Sequence, residues 1–290
     1  MPYRARTSET VLQSLEQMFQ GRSMKDLRRL LAEERIVVNG KVVTDGKALL
    51  KEGDGVDCLR FGKPRQLHPK VRLLFEDDHL LGIEKGAGIL TSDGVSGRDL
   101  TAVDVLERYL RARGLRRRVF ACHRLDRDVS GVCLFAKDPR VAARVRDHTR
   151  EHLKERVYHA LVEGVLRSPE GTVRSYLQDD DVTKVVRLAS PREGKLCITH
   201  YRVLESRHGA STLEVRLETG RKNQIRAQLA SIGHPIAGDS KYGAKTDPAG
   251  RVALHAKFLR VAHPVTGESI ELHADVPSTF TRPPAGRGEG

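Results

Sequence analysis

His123-Arg124-Leu125-Asp126-Arg127-Asp128-Val129-Ser130-Gly131, which runs straight into the apolar stretch 132–136, is the segment on which the reading of this chain turns. It sets one carboxylate, Asp126, among arginines just ahead of the apolar run, which is where a nucleophilic or charge-stabilising aspartate sits. Two other chemistries offer themselves and fail. A protein kinase loop would follow His123-Arg124 directly with its aspartate, whereas Leu125 intervenes here, and no glycine-rich phosphate loop with a following strand lysine is present. A glycosidase needs paired carboxylates, and Asp128 beside Asp126 reads as surface charge.

Whole-chain properties narrow the partner. The 290 residues suffice for one large domain and a small module. With 51 Lys and Arg against 38 Asp and Glu, a formal charge of +13 and a pI near 9.8, the natural partner is a polyanion, nucleic acid first. Cys58, Cys122, Cys133 and Cys197 lie far apart, so neither a disulfide framework nor a zinc ribbon is expected. None of the 12 histidines falls in a metal-ligand pattern, so no metal is expected. The start of the chain lacks an apolar signal core, and no apolar run approaches the roughly 18 residues of a spanning helix, so a soluble, cytoplasmic protein with no membrane partner is expected.

Outward from the Asp126 segment, 71–75 and 80–83 read as strands around Asp77-Asp78, followed by Lys85-Gly86-Ala87-Gly88-Ile89-Leu90. Residues 101–113 read as a helix with Val103, Leu106, Tyr109 and Leu110 on one face, ending before Gly114, and a basic turn at 115–118 follows. Downstream, 140–154 reads as a strongly charged helix and 157–164 as a strand. The polar stretch 171–189 carries Asp179-Asp180-Asp181, taken as a hairpin tip rather than a metal site. Segments 198–205 and 211–218 alternate as an antiparallel pair around His208-Gly209. Strands and helices mix without a regular βαβ repeat, which predicts an α+β fold: a largely antiparallel mixed sheet with flanking helices.

Four of these segments together resemble the RluA family of pseudouridine synthases. The Asp126 segment is similar to H-R-L-D-x-x-T/S-S-G, with Val129 where a small hydroxyl is usual and one turn hydrogen bond thereby lost. Lys85–Leu90 resembles N-K-P-A-G-L, with Gly86 in place of proline and a more flexible loop as the consequence. Lys154-Glu155-Arg156-Val157-Tyr158-His159-Ala160-Leu161-Val162-Glu163-Gly164 resembles K-x-Y-x-A-x-V-x-G. Leu217-Glu218-Thr219-Gly220-Arg221-Lys222-Asn223-Gln224-Ile225-Arg226, then Gly233-His234-Pro235-Ile236, Gly238-Asp239 and Tyr242-Gly243, resembles L-x-T-G-R-x-H-Q-I-R and G-H-P-I-x-G-D-x-x-Y-G, with Asn223 replacing histidine. The resemblance spans about residues 71–275. It implies isomerisation of uridine in RNA to pseudouridine with no metal or organic cofactor. It assigns Asp126 as the catalytic aspartate and Arg226 as its partner, an arrangement that favours the charged carboxylate a nucleophile requires. It puts Tyr158 against the flipped uracil, Ile225 against the target base, and Arg221, Asn223 and Gln224 at the substrate. Arg124 would fill the vacated stack or hold adjacent phosphates, and His123 would orient the loop.

The amino-terminal part reads independently. Val11, Leu12, Leu15 and Met18, then Leu27, Leu30 and Leu31, fall at helical spacing, and 36–43 is two β-branched runs around Asn39-Gly40, a hairpin signal. Ahead of Gly53-Asp54 and its strand, this order resembles the small RNA-binding module named after small-subunit ribosomal protein four. Arg22, Lys25, Arg28, Arg29 and Arg35 are its candidate phosphate contacts. The expected layout is a module at 10–60, a linker at 61–70, a catalytic domain at 71–281 and a disordered tail at 282–290. RNA, large-subunit ribosomal RNA first and transfer RNA as the alternative, is the expected partner of a monomer. The competing class is a non-catalytic RNA-binding or ribosome-assembly protein, against which Asp126, Arg226 and Tyr158 argue.

Overall fold

The computed structural model describes residues 3–5, 7–32, 34–59, 64–92, 99–180 and 185–280. The tail at 282–290 and positions 61–63 of the expected linker lie outside them. The chain divides into two units, Met1–Arg65 with Leu74–Glu76, and Gln66–Leu73 with Asp77–Gly290.

In the first unit β1 (Tyr3–Arg4) and β2 (Glu9–Thr10) lead into α1 (Val11–Met18), α2 (Met24–Ala32), β3 (Ile36–Val38), β4 (Lys41–Val42), β5 (Leu49–Leu50) and β6 (Gly55–Cys58). Thr10 caps α1 with a reciprocal capping box to Gln13, which starts the helix at the predicted residue. The hairpin forms at Asn39-Gly40 because both residues take positive φ, 49° and 80°, as a type I′ turn demands. Strand order β1-β6-β3-β4 backs a core of Val11, Leu15, Leu27, Leu30, Leu31, Ile36, Leu50 and Val56.

The following strands are β7 (Arg65–His68), β8 (Val71–Glu76) and β9 (Leu80–Lys85), then α3 (Ala102–Ala112), β10 (Phe120–Ala121), β11 (Ser130–Ala136), α4 (Pro139–Asp147) and α5 (Thr149–His152). After these come β12 (Leu153–Glu163), β13 (Glu170–Asp179), β14 (Val186–Ala189), β15 (Lys195–Arg207), β16 (Ala210–Leu217), α6 (Gln224–Ser231), β17 (Leu254–Ala262) and β18 (Ser269–His273). One mixed sheet runs β14-β13-β15-β16-β12-β17-β11-β9-β8-β7, with β10 on β11 and β18 on β17. This is the expected α+β class.

Three readings are corrected. Residues 65–68 of the expected linker are a strand, because Pro64 and Pro69 fall just outside it and leave its backbone free to pair. The 140–154 helix ends at His148, whose φ and ψ of −114° and 46° break it, and Leu153, buried, already pairs with Val261. Residues 254–273, to which the sequence assigned no element, supply β17 and β18, and β17 lies between β12 and β11.

That insertion positions the Asp126 segment. β11 pairs antiparallel with β9 and β10 but parallel with β17, through Ser130↔His255 and Gly131↔Ala256. Gly131 has φ 116°, and a Cβ there would run into the Ala256 backbone, so only glycine admits this approach.

Candidate active site

Asp126 lies in the loop between β10 and β11. Leu125 and Val129, both buried, anchor the loop on the core and leave the carboxylate between them directed outward. Thr91 Oγ1 donates to the Leu125 carbonyl at 2.7 Å and accepts the Leu125 N–H at 3.1 Å. Gly88 N–H donates to the Arg127 carbonyl at 2.7 Å. Lys85, fully buried, gives its ammonium to the carbonyls of Ile89, Gly86 and Arg127 at 2.9, 3.0 and 3.3 Å. Burial lowers the Lys85 pKa to about 8. The turn that a hydroxyl at 129 would have helped to close is held by the main chain instead, Val129 N–H to Asp126 C=O at 3.2 Å.

His123 stands at the base of this loop, and its Nε2 accepts the Leu134 N–H at 3.1 Å. Burial, with Arg156 adding to it, pushes His123 down to about 4, so the ring is neutral near pH 7 and holds backbone rather than carrying protons.

Arg226 enters from the first turn of α6 and is 7 % exposed. Its Nη1 donates to Asp126 Oδ2 at 3.0 Å and to Asn223 Oδ1 at 3.1 Å. Its Nε and Nη2 grip Asp239 side by side at 2.7 and 2.8 Å, the two-pronged geometry that suits a guanidinium to a carboxylate. Burial by itself lowers the arginine pKa, but the Asp239 and Asp126 carboxylates outweigh it and raise it above the ordinary value. Arg226 therefore stays charged and acts as a fixed clamp. Its guanidinium also lies 5.1 Å from the centre of the Tyr242 ring. The Asp126 side chain is 19 % exposed, with Oδ2 on Arg226, and it lines the cavity.

The cavity above Asp126 has a volume of about 310 Å³. Tyr158, Ile225, Leu254 and Arg124 line it. Tyr158, on β12 opposite Val215 and Ala256, is buried, and burial pushes its phenol up to about 12, so the ring presents a neutral face. Arg124 and Arg221 are exposed at the rim. Tyr158, Ile225 and Leu254 beside one oriented carboxylate, among the arginines of the same lining, are suited to holding a flat ring of an anionic chain against a nucleophile or base.

Two expected substrate contacts, Gln224 and Asn223, line the cavity while spending polar atoms on protein partners. Gln224 Oε1 accepts from Thr219 Oγ1 at 2.9 Å and Arg221 N–H at 3.1 Å, and its Nε2 donates to Ile198 C=O at 3.1 Å and Thr199 Oγ1 at 2.9 Å. Its polar end is fully engaged in holding the 219–221 loop to β15. Asn223 adopts the left-handed conformation, φ 51°, which asparagine tolerates, and its carbonyl oxygen orients Arg226. In the first unit, Arg22, Lys25 and Arg28 are exposed, whereas Arg29 meets Asp26 at 3.5 Å and Arg35 Nε donates to the Leu59 carbonyl at 3.0 Å. Among the described residues no cluster of three or more His, Cys, Asp or Glu is arranged to hold a metal, and no helix is long and apolar enough to cross a membrane. Asp179 of the triple-aspartate stretch ends β13 and takes the Lys222 ammonium at 2.9 Å.

Asp239, Arg156 and Lys85 carry weight here that the sequence reading did not give them. Each stood inside a quoted segment, but neighbouring charged or polar residues gave none of them a distinguishing local signal.

The family described as RNA pseudouridylate synthase matches residues 79–231. The chain is 35% identical over 254 residues to the uncharacterized RNA pseudouridine synthase YhcT of Bacillus subtilis, covering 86% of this chain and 83% of that one. It is 31% identical over 287 residues to ribosomal large subunit pseudouridine synthase D of Pasteurella multocida, covering 92% and 88%. Among solved structures it resembles human RNA pseudouridylate synthase domain containing 4, at 25% identity and a TM-score of 0.58, over 72% of this chain and 90% of that one.

Proposed function

The chain belongs to the RNA pseudouridylate synthase family, isomerases acting on RNA, and from that premise we propose that it converts a uridine of large-subunit ribosomal RNA to pseudouridine at Asp126. In this reaction the bond between ribose and the glycosidic nitrogen breaks, the base turns, and a bond from carbon five to the ribose forms while the carbon-five proton leaves and the freed nitrogen takes up a proton, so the product is an isomer. Asp126 Oδ1 acts at the sugar or base as nucleophile, or takes the proton after cleavage. Arg226 keeps that carboxylate in place, Tyr158 and Ile225 bracket the base, and Arg124 stands at the rim where a flipped strand enters. The observation that carries the reading is the chain Asp126–Arg226–Asp239 beneath a cavity walled by Tyr158. The ribosomal target rests on relatives named as large-subunit synthases and on the net charge of +13.

The layout proposed is an RNA-binding module at 10–60 and a catalytic domain at 71–281, acting as a monomer. The two helices, the Asn39-Gly40 hairpin and the exposed Lys25 and Arg28 support the module's likeness to that of small-subunit ribosomal protein four.

Pseudouridine mapping by carbodiimide-blocked reverse transcription, on total RNA from cells lacking the protein, tests the function. A stop in large-subunit ribosomal RNA that is lost in those cells and restored by the wild type but not by Asp126→Asn is expected. A stop in transfer RNA instead would overturn the target, and an unchanged map the activity.

A further inference from the structure

Arg156 sits in the wall of the Asp126 cavity, 8 % exposed, and among the described residues no carboxylate pairs with it. Its Nη2 donates to the carbonyls of Leu217 and Glu218 at 3.3 and 3.1 Å. Its Nε is buried with no hydrogen-bond partner, and among the described residues no group accepts from Nη1. Arg226 offers the contrast, since two carboxylates neutralise it. A buried guanidinium without an anion is unfavourable, and the two carbonyls fix its plane without cancelling its charge.

The surroundings show where an anion would enter. Arg156 also lines an adjoining groove with three arginines, Arg146, Arg150 and Arg221, and three carboxylates, Asp147, Glu151 and Glu218. The Glu218 carboxylate is drawn off by Arg150 at 3.8 Å and His200 at 3.6 Å. A Cβ at Gly220 would collide with Arg156 Nη1, so the glycine makes the room in which that nitrogen lies. Arg156 and Tyr158 are two residues apart on β12 and both line the cavity, which puts them on one face about 6.5 Å from each other.

We propose that Arg156, with Arg221 lining the same cavity, is a phosphodiester subsite that takes the backbone phosphate next to the uridine whose base lies against Tyr158. The proposal rests on the pseudouridine synthase reading above. A guanidinium suits this task, because Nη1 is left to donate to a phosphate oxygen while Nη2 stays on the Leu217 and Glu218 carbonyls and the charge is kept at any working pH.

Titration of the full chain with uridine, uridine 5′-monophosphate and uridine 3′-monophosphate, followed by nuclear magnetic resonance, tests it. The wild type is expected to bind at least one monophosphate about tenfold tighter than uridine, the size of one charged hydrogen-bonded contact. In Arg156→Gln that gap falls below about threefold while uridine affinity holds, and Arg156→Lys, which keeps the charge, retains part of it. Arg221→Gln, at an exposed position, gives a reading independent of any effect on folding and narrows the gap as well. Equal wild-type affinity for all three probes, or a gap untouched in both glutamine variants, overturns the subsite alone. A wild type that binds none of the probes and releases no tritium from carbon-five-labelled RNA overturns the proposed function, and the subsite with it.

Discussion

Substituting the two carboxylates on Arg226 one at a time is expected to separate stability from activity. Asp239 is 1 % exposed and holds Arg226 through two hydrogen bonds, so Asp239→Asn leaves a buried guanidinium short of its main counter-charge. Removing one side of a buried ion pair costs about 3–5 kcal/mol, and the lower end applies because asparagine keeps an oxygen and Asp126 and Asn223 still hold Nη1. At about 2–4 °C per kcal/mol for a unit of this size, Tm drops by about 6–12 °C. Asp126→Asn removes a single bond from a side chain that water already reaches, while the Asp239 grip stays intact. Its cost is about 1 kcal/mol, a fall of about 2–4 °C. Tritium release runs the other way: Asp126→Asn abolishes it, whereas Asp239→Asn slows it, by roughly tenfold or more, through a less firmly held Asp126. Thermal unfolding and single-turnover tritium release on the same preparations read both quantities. A Tm loss for Asp126→Asn as large as that for Asp239→Asn would refute the assignment of Asp239 as the structural anchor.

Tyr158→Ala should lower kcat/KM by about 10- to 100-fold, a loss of about 1–3 kcal/mol of stacking, and Tyr158→Phe should keep most of it; equal losses would show that the hydroxyl rather than the ring matters. Lys25→Gln with Arg28→Gln should flatten the slope of log affinity against log salt by roughly 0.7 per contact removed, as filter binding to ribosomal RNA fragments would show, and an unchanged slope would remove α2 from the RNA contact. His255 is buried against Ser130, Nδ1 to Oγ at 2.8 Å, and burial lowers it to about 4. Because the folded state favours the neutral ring, its contribution is complete above about pH 6.5 and is lost as pH falls toward 4, by up to about 3 kcal/mol. Urea unfolding at pH 7 and pH 4.5 should therefore show the wild type losing more stability than His255→Asn, and parallel losses would refute this.

What the sequence disclosed follows from the range of the interactions involved. The helices α1 and α2 and the Asn39-Gly40 hairpin were legible because spacing and a two-residue turn are local properties. Asp126 was legible because leucine, valine and glycine around it encode the loop that displays it. β17 was not, because it is flanked by strands on both sides and LHAKFLRVA carries no clean alternation. The Arg65–His68 strand was hidden by polarity and flanking prolines. Gln224 stood in the right segment, but position in a motif does not give the direction of a side chain, and its amide turns into the protein. Asp239 could not be paired with Arg226 by any periodicity, since a turn and a loop separate them.

The parallel contact of Gly131 with Ala256 bears on how the molecule comes into being on the ribosome. Ser130 reaches His255 across 125 positions, and Arg226 reaches Asp126 across 100. Contacts of such separation close slowly and late, since 100 or more further residues must be synthesised before the second partner exists. A nascent chain of two hundred residues holds Asp126 and Tyr158 but neither the clamp nor the strand that seats β11. Catalytic competence therefore waits for β17, and no amino-terminal fragment that stops short of that strand is expected to act on RNA.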